Sequence, residues 1–178
     1  KTLQTLTFLD ELRSRGKLGR CLILVPTSLT YTWKTESERF TPDLPMHLFS
    51  PKTIQDSRLM LSQDRDQVWI ATYGLFTEHS ATFIDTPWNV VIFDEAQSLK
   101  NLSTKRTTMA RALPARFKLC LTGTPLENHL GEFFSLVDLA VPGSLGELSE
   151  FRKLYVSPES IDPVALRRLK LKTKPLLL

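Results

Sequence analysis

Val90-Val91-Ile92-Phe93-Asp94-Glu95-Ala96-Gln97 is the stretch whose reading decides the fold. Four apolar residues, each β-branched or aromatic, run without alternation into two adjacent carboxylates. A short apolar run of this kind describes a strand buried on both faces, as in a parallel sheet. Two unpartnered charges are costly to bury, so Asp94 and Glu95 are expected to emerge at the strand's carboxyl end. That edge of an open α/β sheet is where ligands bind. One carboxylate there suits a hydrated magnesium ion, and its neighbour suits a water directed at a phosphoryl group. Taken alone, the same residues equally describe a strand followed by a solvated acidic turn.

Outward from this stretch the chain alternates. Before it, Leu3, Leu6, Leu9 and Leu12, with Phe8 beside them, predict a helix from about Thr2 to Arg15, ending before Gly16 and Gly19. Cys21 to Val25 reads as a buried strand stopped by Pro26. Ser28 is placed to cap a following helix with an apolar face of Leu29, Trp33 and Phe40. A short extended piece is expected around Met46 to Phe49, a polar helical stretch over Ile54 to Gln63, and a further strand over Val68 to Ala71. Leu75 to Asp85 is read as helical.

After the central strand come a helix over Ser103 to Ala112 and a strand over Phe117 to Leu121. Helical spacing then runs from Gly131 to Ala140, and Pro142-Gly143 ends it. Two helical pieces, Phe151 to Val156 and Pro163 to Leu171, close the pattern. No repeat, low-complexity tract or linker interrupts it, so one domain is expected.

Four apolar runs therefore end in four polar signatures: Pro26-Thr27-Ser28, Thr72-Tyr73-Gly74, Asp94-Glu95 and Thr122-Gly123-Thr124. Strands alternating with helices imply a parallel sheet, because right-handed crossovers point neighbouring strands the same way. All four signatures are then expected along one edge. Mere stability gives no reason to place hydroxyls and carboxylates at every carboxyl end.

Composition sets the bounds. At 178 residues, 42% hydrophobic and 24% charged, the chain suits a single globular domain with a sizeable core. A net charge of +4 permits a nucleic-acid partner without arguing for one. Cys21 and Cys120 sit in separate apolar runs without metal-ligand spacing and read as small core residues in a reducing compartment. No apolar run approaches the about 18 residues of a membrane span, and no membrane partner is expected. The chain begins at Lys1 rather than at a methionine, and a piece of a longer protein is expected.

Lys1-Thr2 alone is an ordinary exposed terminus. Followed by Leu3-Gln4 and joined to Asp94-Glu95-Ala96-Gln97, it is similar to the end of a phosphate-binding loop. The whole order resembles the first motor lobe of a helicase superfamily two ATPase, and most of all the Swi/Snf-related DNA translocases. Pro26-Thr27-Ser28-Leu29 with Trp33, Glu36 and Phe40 resembles their second motif, and Ala71-Thr72-Tyr73-Gly74 the next. Asp94-Glu95-Ala96-Gln97 with Lys100-Asn101 resembles their magnesium motif, and Leu121 through Asn128 their coupling motif. Phe134 stands where the family commonly has tryptophan. Lys174 to Leu178 is similar to the segment that leads into a second lobe.

This resemblance implies a RecA-like P-loop NTPase lobe: a parallel β-sheet with helices on both faces. It implies ATP and magnesium as ligands, with Lys1 on the β- and γ-phosphates and Thr2 and Asp94 on the metal. Glu95 would polarise the attacking water, while Gln97 would bind nucleotide and, with Thr122, Gly123 and Thr124, couple its state to lobe movement. Gln97 also fits a turn residue bonded to its own backbone. Thr27, Ser28 and Thr72 would face the phosphate backbone of double-stranded DNA without reading sequence, although helix capping accounts for the same hydroxyls.

Implied partners are that DNA, a DNA-bound protein and a second helicase lobe of the same chain, at the nucleoid of a bacterium or in the nucleus of a eukaryote. The phosphate-loop glycines and the second lobe's arginine fingers lie outside these residues, so the isolated chain is expected to be inactive. Trp33 reads as core; Lys100, Lys105 and Arg106 read as a solvated face; His47, His79 and His129 have no metal spacing. Three functions remain open: a double-stranded DNA translocase, the motor of a restriction- or repair-type helicase, and a non-hydrolysing interaction module.

Overall fold

The apolar runs pair as a five-stranded, all-parallel sheet in the order β2-β3-β1-β4-β5. The strands are β1 (Arg20–Val25), β2 (Met46–Leu48), β3 (Gln67–Thr72), β4 (Trp88–Phe93) and β5 (Ala115–Cys120). This computed structural model describes residues 1–50, 52, 59–63, 65–123, 130–156 and 162–177. The helices are α1 (Thr2–Ser14), α2 (Thr30–Phe40), α3 (Tyr73–Glu78), α4 (Ser80–Ile84), α5 (Lys105–Ala112), α6 (Leu130–Ala140), α7 (Leu148–Tyr155) and α8 (Pro163–Thr173). No helix among the described residues is long and apolar enough to cross a membrane.

Alternation along each strand divides the core in two, because successive side chains leave opposite faces of a pleated sheet. Cys21, Ile23, Val25, Val68, Ile70, Val90 and Ile92 pack with Leu6 and Leu9 of α1 and Trp33 of α2. Leu22, Leu24, Trp69, Ala71, Val91 and Phe93 face the other way, onto Phe76 of α3, Phe83 of α4, Ala110 of α5 and Leu136 and Leu139 of α6. Helices thus cover both faces, as the unbroken apolar runs demand. A satellite cluster of Phe133, Phe134, Val137, Phe151 and Leu169 joins α6, α7 and α8.

Local chemistry sets the boundaries. Gly19 takes a left-handed φ of 57° on entry to β1, a conformation costly for any residue with a Cβ. Thr104 caps α5 by accepting from Thr107 N–H at 3.3 Å, and Asp162 caps α8 by accepting from Val164 N–H at 2.9 Å, with Pro163 opening that helix. Asp138 of α6 is almost fully buried; it pairs with Arg111 of α5 and accepts the Gly143 N–H at 2.9 Å, pinning the Pro142-Gly143 turn.

The structure corrects several expectations. Ser28 does not cap α2: it lies inside a 3₁₀ turn, Thr27–Leu29, so the α-helix starts only at Thr30, with Leu29 at its N-cap. Phe40 is exposed, with the Arg39 guanidinium over its ring, rather than on the buried face. Leu75 to Asp85 is two short helices separated at His79. Phe117 is half exposed, because β5 ends the sheet among the described residues; the ring of Phe8 of α1 lies against it. Of the stretch Ile54 to Gln63, residues 59–61 are helical and residues 54–58 lie outside the described residues.

Candidate active site

Strand register brings the polar signatures to one level. Val25 lies opposite Thr72, Leu24 opposite Phe93, and Phe93 opposite Cys120. Thr72, the last residue of β3, therefore emerges at the carboxyl edge together with the residues that follow the other strands: Thr27 and Ser28, then Asp94 and Glu95, then Thr122 and Gly123. Neighbouring strands lie about 4.8 Å apart, so the edge is a continuous shelf. Thr124, with the continuation to His129, lies outside the described residues.

Asp94 is only 5% exposed, yet its carboxylate is not stranded. Oδ2 accepts the indole N–H of Trp33 at 2.8 Å, and Oδ1 accepts the Glu95 N–H at 3.0 Å. Its backbone is held as firmly: the Asp94 N–H donates to the Leu24 carbonyl, and its own carbonyl accepts from the Tyr73 hydroxyl, both at 2.8 Å. Burial pushes the Tyr73 hydroxyl well above the ordinary phenol range, so it remains a donor.

Glu95 stands in the left-handed region at φ 50°, ψ 49°, the one non-glycine residue with positive φ among those described. Such a conformation costs about 1 kcal/mol or more and clusters at functional sites. It turns the chain sharply off β4 into a 3₁₀ turn, Ala96–Leu99. Gln97 then donates from Nε2 to Glu95 Oε2 at 2.5 Å and accepts the Thr122 hydroxyl at Oε1 at 3.0 Å. This amide adds a side-chain link between the ends of β4 and β5, beside the backbone bonds from Leu121 N–H to the Phe93 carbonyl and from Ala96 N–H to the Leu121 carbonyl, both at 2.8 Å.

Lys1 belongs to the same edge. A Cβ added at Gly123 would meet the Lys1 ammonium at 3.2 Å and Glu95 Oε2 at 4.0 Å. The absent side chain leaves a cradle between an ammonium and a carboxylate, at the start of a helix whose first N–H groups are unpaired. Thr2 opens that helix and is half-buried. These residues fit a phosphate chain with its cation. Among the described residues no cluster of three or more His, Cys, Asp or Glu forms a metal cage. One carboxylate and one hydroxyl match magnesium, which keeps water and phosphate oxygens as its other ligands.

Thr27 and Ser28 are exposed at the end of β1, and Thr72 is half-buried, accepting the Leu75 N–H at 3.2 Å as the cap of α3. Lys100 pairs with Glu132 at 2.7 Å, and the Arg106 guanidinium lies 5.5 Å from the Tyr73 ring centre. Lys100 is exposed, as read from sequence, while Arg106 is half-buried. Trp33 is core as expected, but the bond from its N–H to Asp94 was missed, as was the bond from Tyr73 to the Asp94 backbone. An amphipathic indole on a buried helix face was the available signal.

Known proteins share this pattern. The SNF2-related domain matches residues 1–178. The chain is 37% identical over 166 residues to the DNA excision repair protein ERCC-6-like of Mus musculus, an alignment covering 89% of this chain and 13% of that protein. It is 32% identical over 160 residues to the putative ATP-dependent helicase/translocase YwqA of Bacillus subtilis, covering 89% of this chain and 17% of that one. It thus spans less than a fifth of either relative. Among solved structures, the Sulfolobus solfataricus SWI2/SNF2 ATPase core in complex with dsDNA matches with a TM-score of 0.88 and 27% identity, over 100% of this chain and 37% of that chain. With the parallel fold, the edge and a match along every residue in agreement, the chain belongs to the SNF2-related domain family.

Proposed function

We propose that this chain is the ATP-binding first lobe of a DNA-dependent ATPase that moves along double-stranded DNA and remodels a DNA-bound protein. One observation carries the reading: Asp94, Glu95, Gln97 and Thr122 form a connected set along the carboxyl edge, facing the Lys1 ammonium at Gly123. Asp94 and Thr2 would hold magnesium, which when bound neutralises charge on the β- and γ-phosphate oxygens. Lys1 would contact the same phosphates. Glu95, released from Gln97, would orient and polarise the attacking water. Gln97 with Thr122, Gly123 and Thr124 would pass the presence of the γ-phosphate to a second lobe, which supplies the arginine finger.

Thr27, Ser28 and Thr72 occupy the other half of the edge and would position one DNA strand through its phosphates. Hydroxyls there reach backbone oxygens and carry no base readout, so the contact is sequence-independent. The relatives support this reading: one is named a DNA excision repair protein, another a helicase/translocase, and the structural neighbour was solved with dsDNA. The implied location is wherever the DNA is, nucleus or nucleoid. Nothing in the site geometry favours a non-hydrolysing module.

The test is phosphate release by the complete protein with ATP and magnesium, with and without duplex DNA. Turnover that rises with duplex and vanishes in Glu95→Gln is expected. Turnover indifferent to DNA, or equal in the variant, would refute the reading.

A further inference from the structure

The three tryptophans are all buried, and each indole N–H has a partner at 2.8 Å. Trp69 donates to Gln67 Oε1 and Trp88 to the Phe83 carbonyl, neutral acceptors two and five residues away. Trp33 reaches across 61 residues to a carboxylate oxygen of Asp94. Packing alone does not require this, since a phenyl ring fills an apolar slot with no N–H to satisfy.

The consequence for Asp94 is geometric. A carboxylate offers about four lone-pair sites, and here one on each oxygen is taken, by the indole and by the Glu95 N–H. Each oxygen keeps capacity for a cation, while a donor on each oxygen restrains rotation of the carboxylate. The Tyr73 hydroxyl holds the same residue's carbonyl. Trp33 and Tyr73 stand on helices entered from the loops assigned to DNA: α2 follows the Thr27–Leu29 turn, where Thr27 and Ser28 are exposed, and α3 follows Thr72.

We propose that Trp33 is a positioning residue for the Asp94 carboxylate, and that with Tyr73 it ties the orientation of that carboxylate to the DNA-facing loops. The proposal rests on the reading of this edge as an ATPase site facing DNA. A charge-assisted hydrogen bond from a buried donor fixes a metal-binding carboxylate as outer partners of metal ligands generally do.

Two variants of the complete protein test it. Trp33→Phe keeps the ring packing and removes the donor. The magnesium concentration for half-maximal ATPase is expected to rise about ten-fold or more. The KM for ATP at saturating magnesium should stay within about two-fold, because the phosphate contacts are untouched. Tyr73→Phe should shift the magnesium dependence in the same direction by less, since a neutral bond is weaker than a charged one. A folded Trp33→Phe with unchanged magnesium dependence would overturn the proposal. If Trp33→Phe does not fold, an unchanged dependence in Tyr73→Phe would do so.

A spectroscopic readout is independent of turnover. With ¹⁵N-labelled indoles, Asp94→Asn should move the Trp33 N–H resonance and leave those of Trp69 and Trp88 in place. Magnesium nucleotide, and separately duplex DNA, should each move the Trp33 resonance in the wild type. An Asp94→Asn spectrum with Trp33 unmoved overturns the clamp, and a resonance indifferent to duplex overturns the tie to the loops. A wild type without magnesium-dependent ATPase would refute the reading of the site instead, and the indole resonance would still decide the clamp.

Discussion

Thr122 donates its hydroxyl hydrogen to Gln97 Oε1 at 3.0 Å, linking the residue just past β5 to the turn just past β4. Because Nε2 of the same amide serves Glu95, the orientation of Gln97 is fixed from both ends: the oxygen meets a donor and the NH₂ meets an acceptor. On the proposed reading, a movement of Glu95 would be felt at Thr122 through this amide.

Thr122→Val removes that hydroxyl while keeping the shape. The loss of one hydrogen bond, about 1 kcal/mol, is expected to lower DNA-stimulated turnover about five-fold and leave ATP affinity within about two-fold. Gln97→Glu should be more damaging, since it sets a second carboxylate against Glu95. Steady-state ATPase with a nucleotide-binding titration checks both, and a Thr122→Val enzyme with wild-type turnover would exclude the link.

Glu95→Gln should bind ATP normally and turn over about a hundred-fold more slowly or worse, because it keeps size and backbone conformation and removes the charge that polarises water. Asp94→Asn should weaken magnesium-dependent nucleotide binding as well, since a hard cation loses a charged oxygen. Fluorescent-nucleotide binding at two magnesium concentrations separates the two. Equal binding defects in both variants would contradict the division of roles.

DNA affinity of the complete protein is expected to be indifferent to base sequence and to fall roughly ten-fold or more between about 50 and about 200 mM salt, the signature of counterion release from phosphate contacts. Competition between duplexes of unrelated sequence, repeated at the two salt concentrations, measures this. A strong preference for one duplex would count against hydroxyl-to-phosphate contacts at Thr27, Ser28 and Thr72.

Arg111→Ala leaves the buried carboxylate of Asp138 with the Gly143 N–H but without its cation. A loss of about 2 kcal/mol is expected, seen as a fall in Tm of roughly 4–8 °C. Asp138→Asn in the same background should recover part of it by removing the uncompensated charge. Thermal unfolding of the three proteins decides, and no recovery in the double variant would argue against a charge effect.

Much of this was legible without coordinates. Short unbroken apolar runs describe strands buried on both faces, and β1, β3 and β4 formed where Cys21, Val68 and Val90 begin such runs, while β5 formed where Phe117 begins a run that Lys118 interrupts. Parallel pairing then placed Thr72, Thr27, Asp94 and Thr122 on one edge, as strand direction requires. Local rules were weaker at boundaries: Ser28 looked like a cap, but it falls inside the 3₁₀ turn that precedes α2. The half exposure of Phe117 was invisible too, because β-pattern does not tell an edge strand from a central one.

By itself the sequence determined the strand directions, the two-faced core and the residues presented at the strand ends, because hydrophobic period and turn chemistry are properties of neighbours along the chain. Only the tertiary structure decided that the indole of Trp33 meets Asp94, that the Tyr73 hydroxyl holds the same residue's backbone, and that Glu95 takes a left-handed conformation between them. Helical period shows which face of α2 is buried, but not which atom lies across from one N–H. That depends on the register of β1 against β4, set by the packing of the whole sheet.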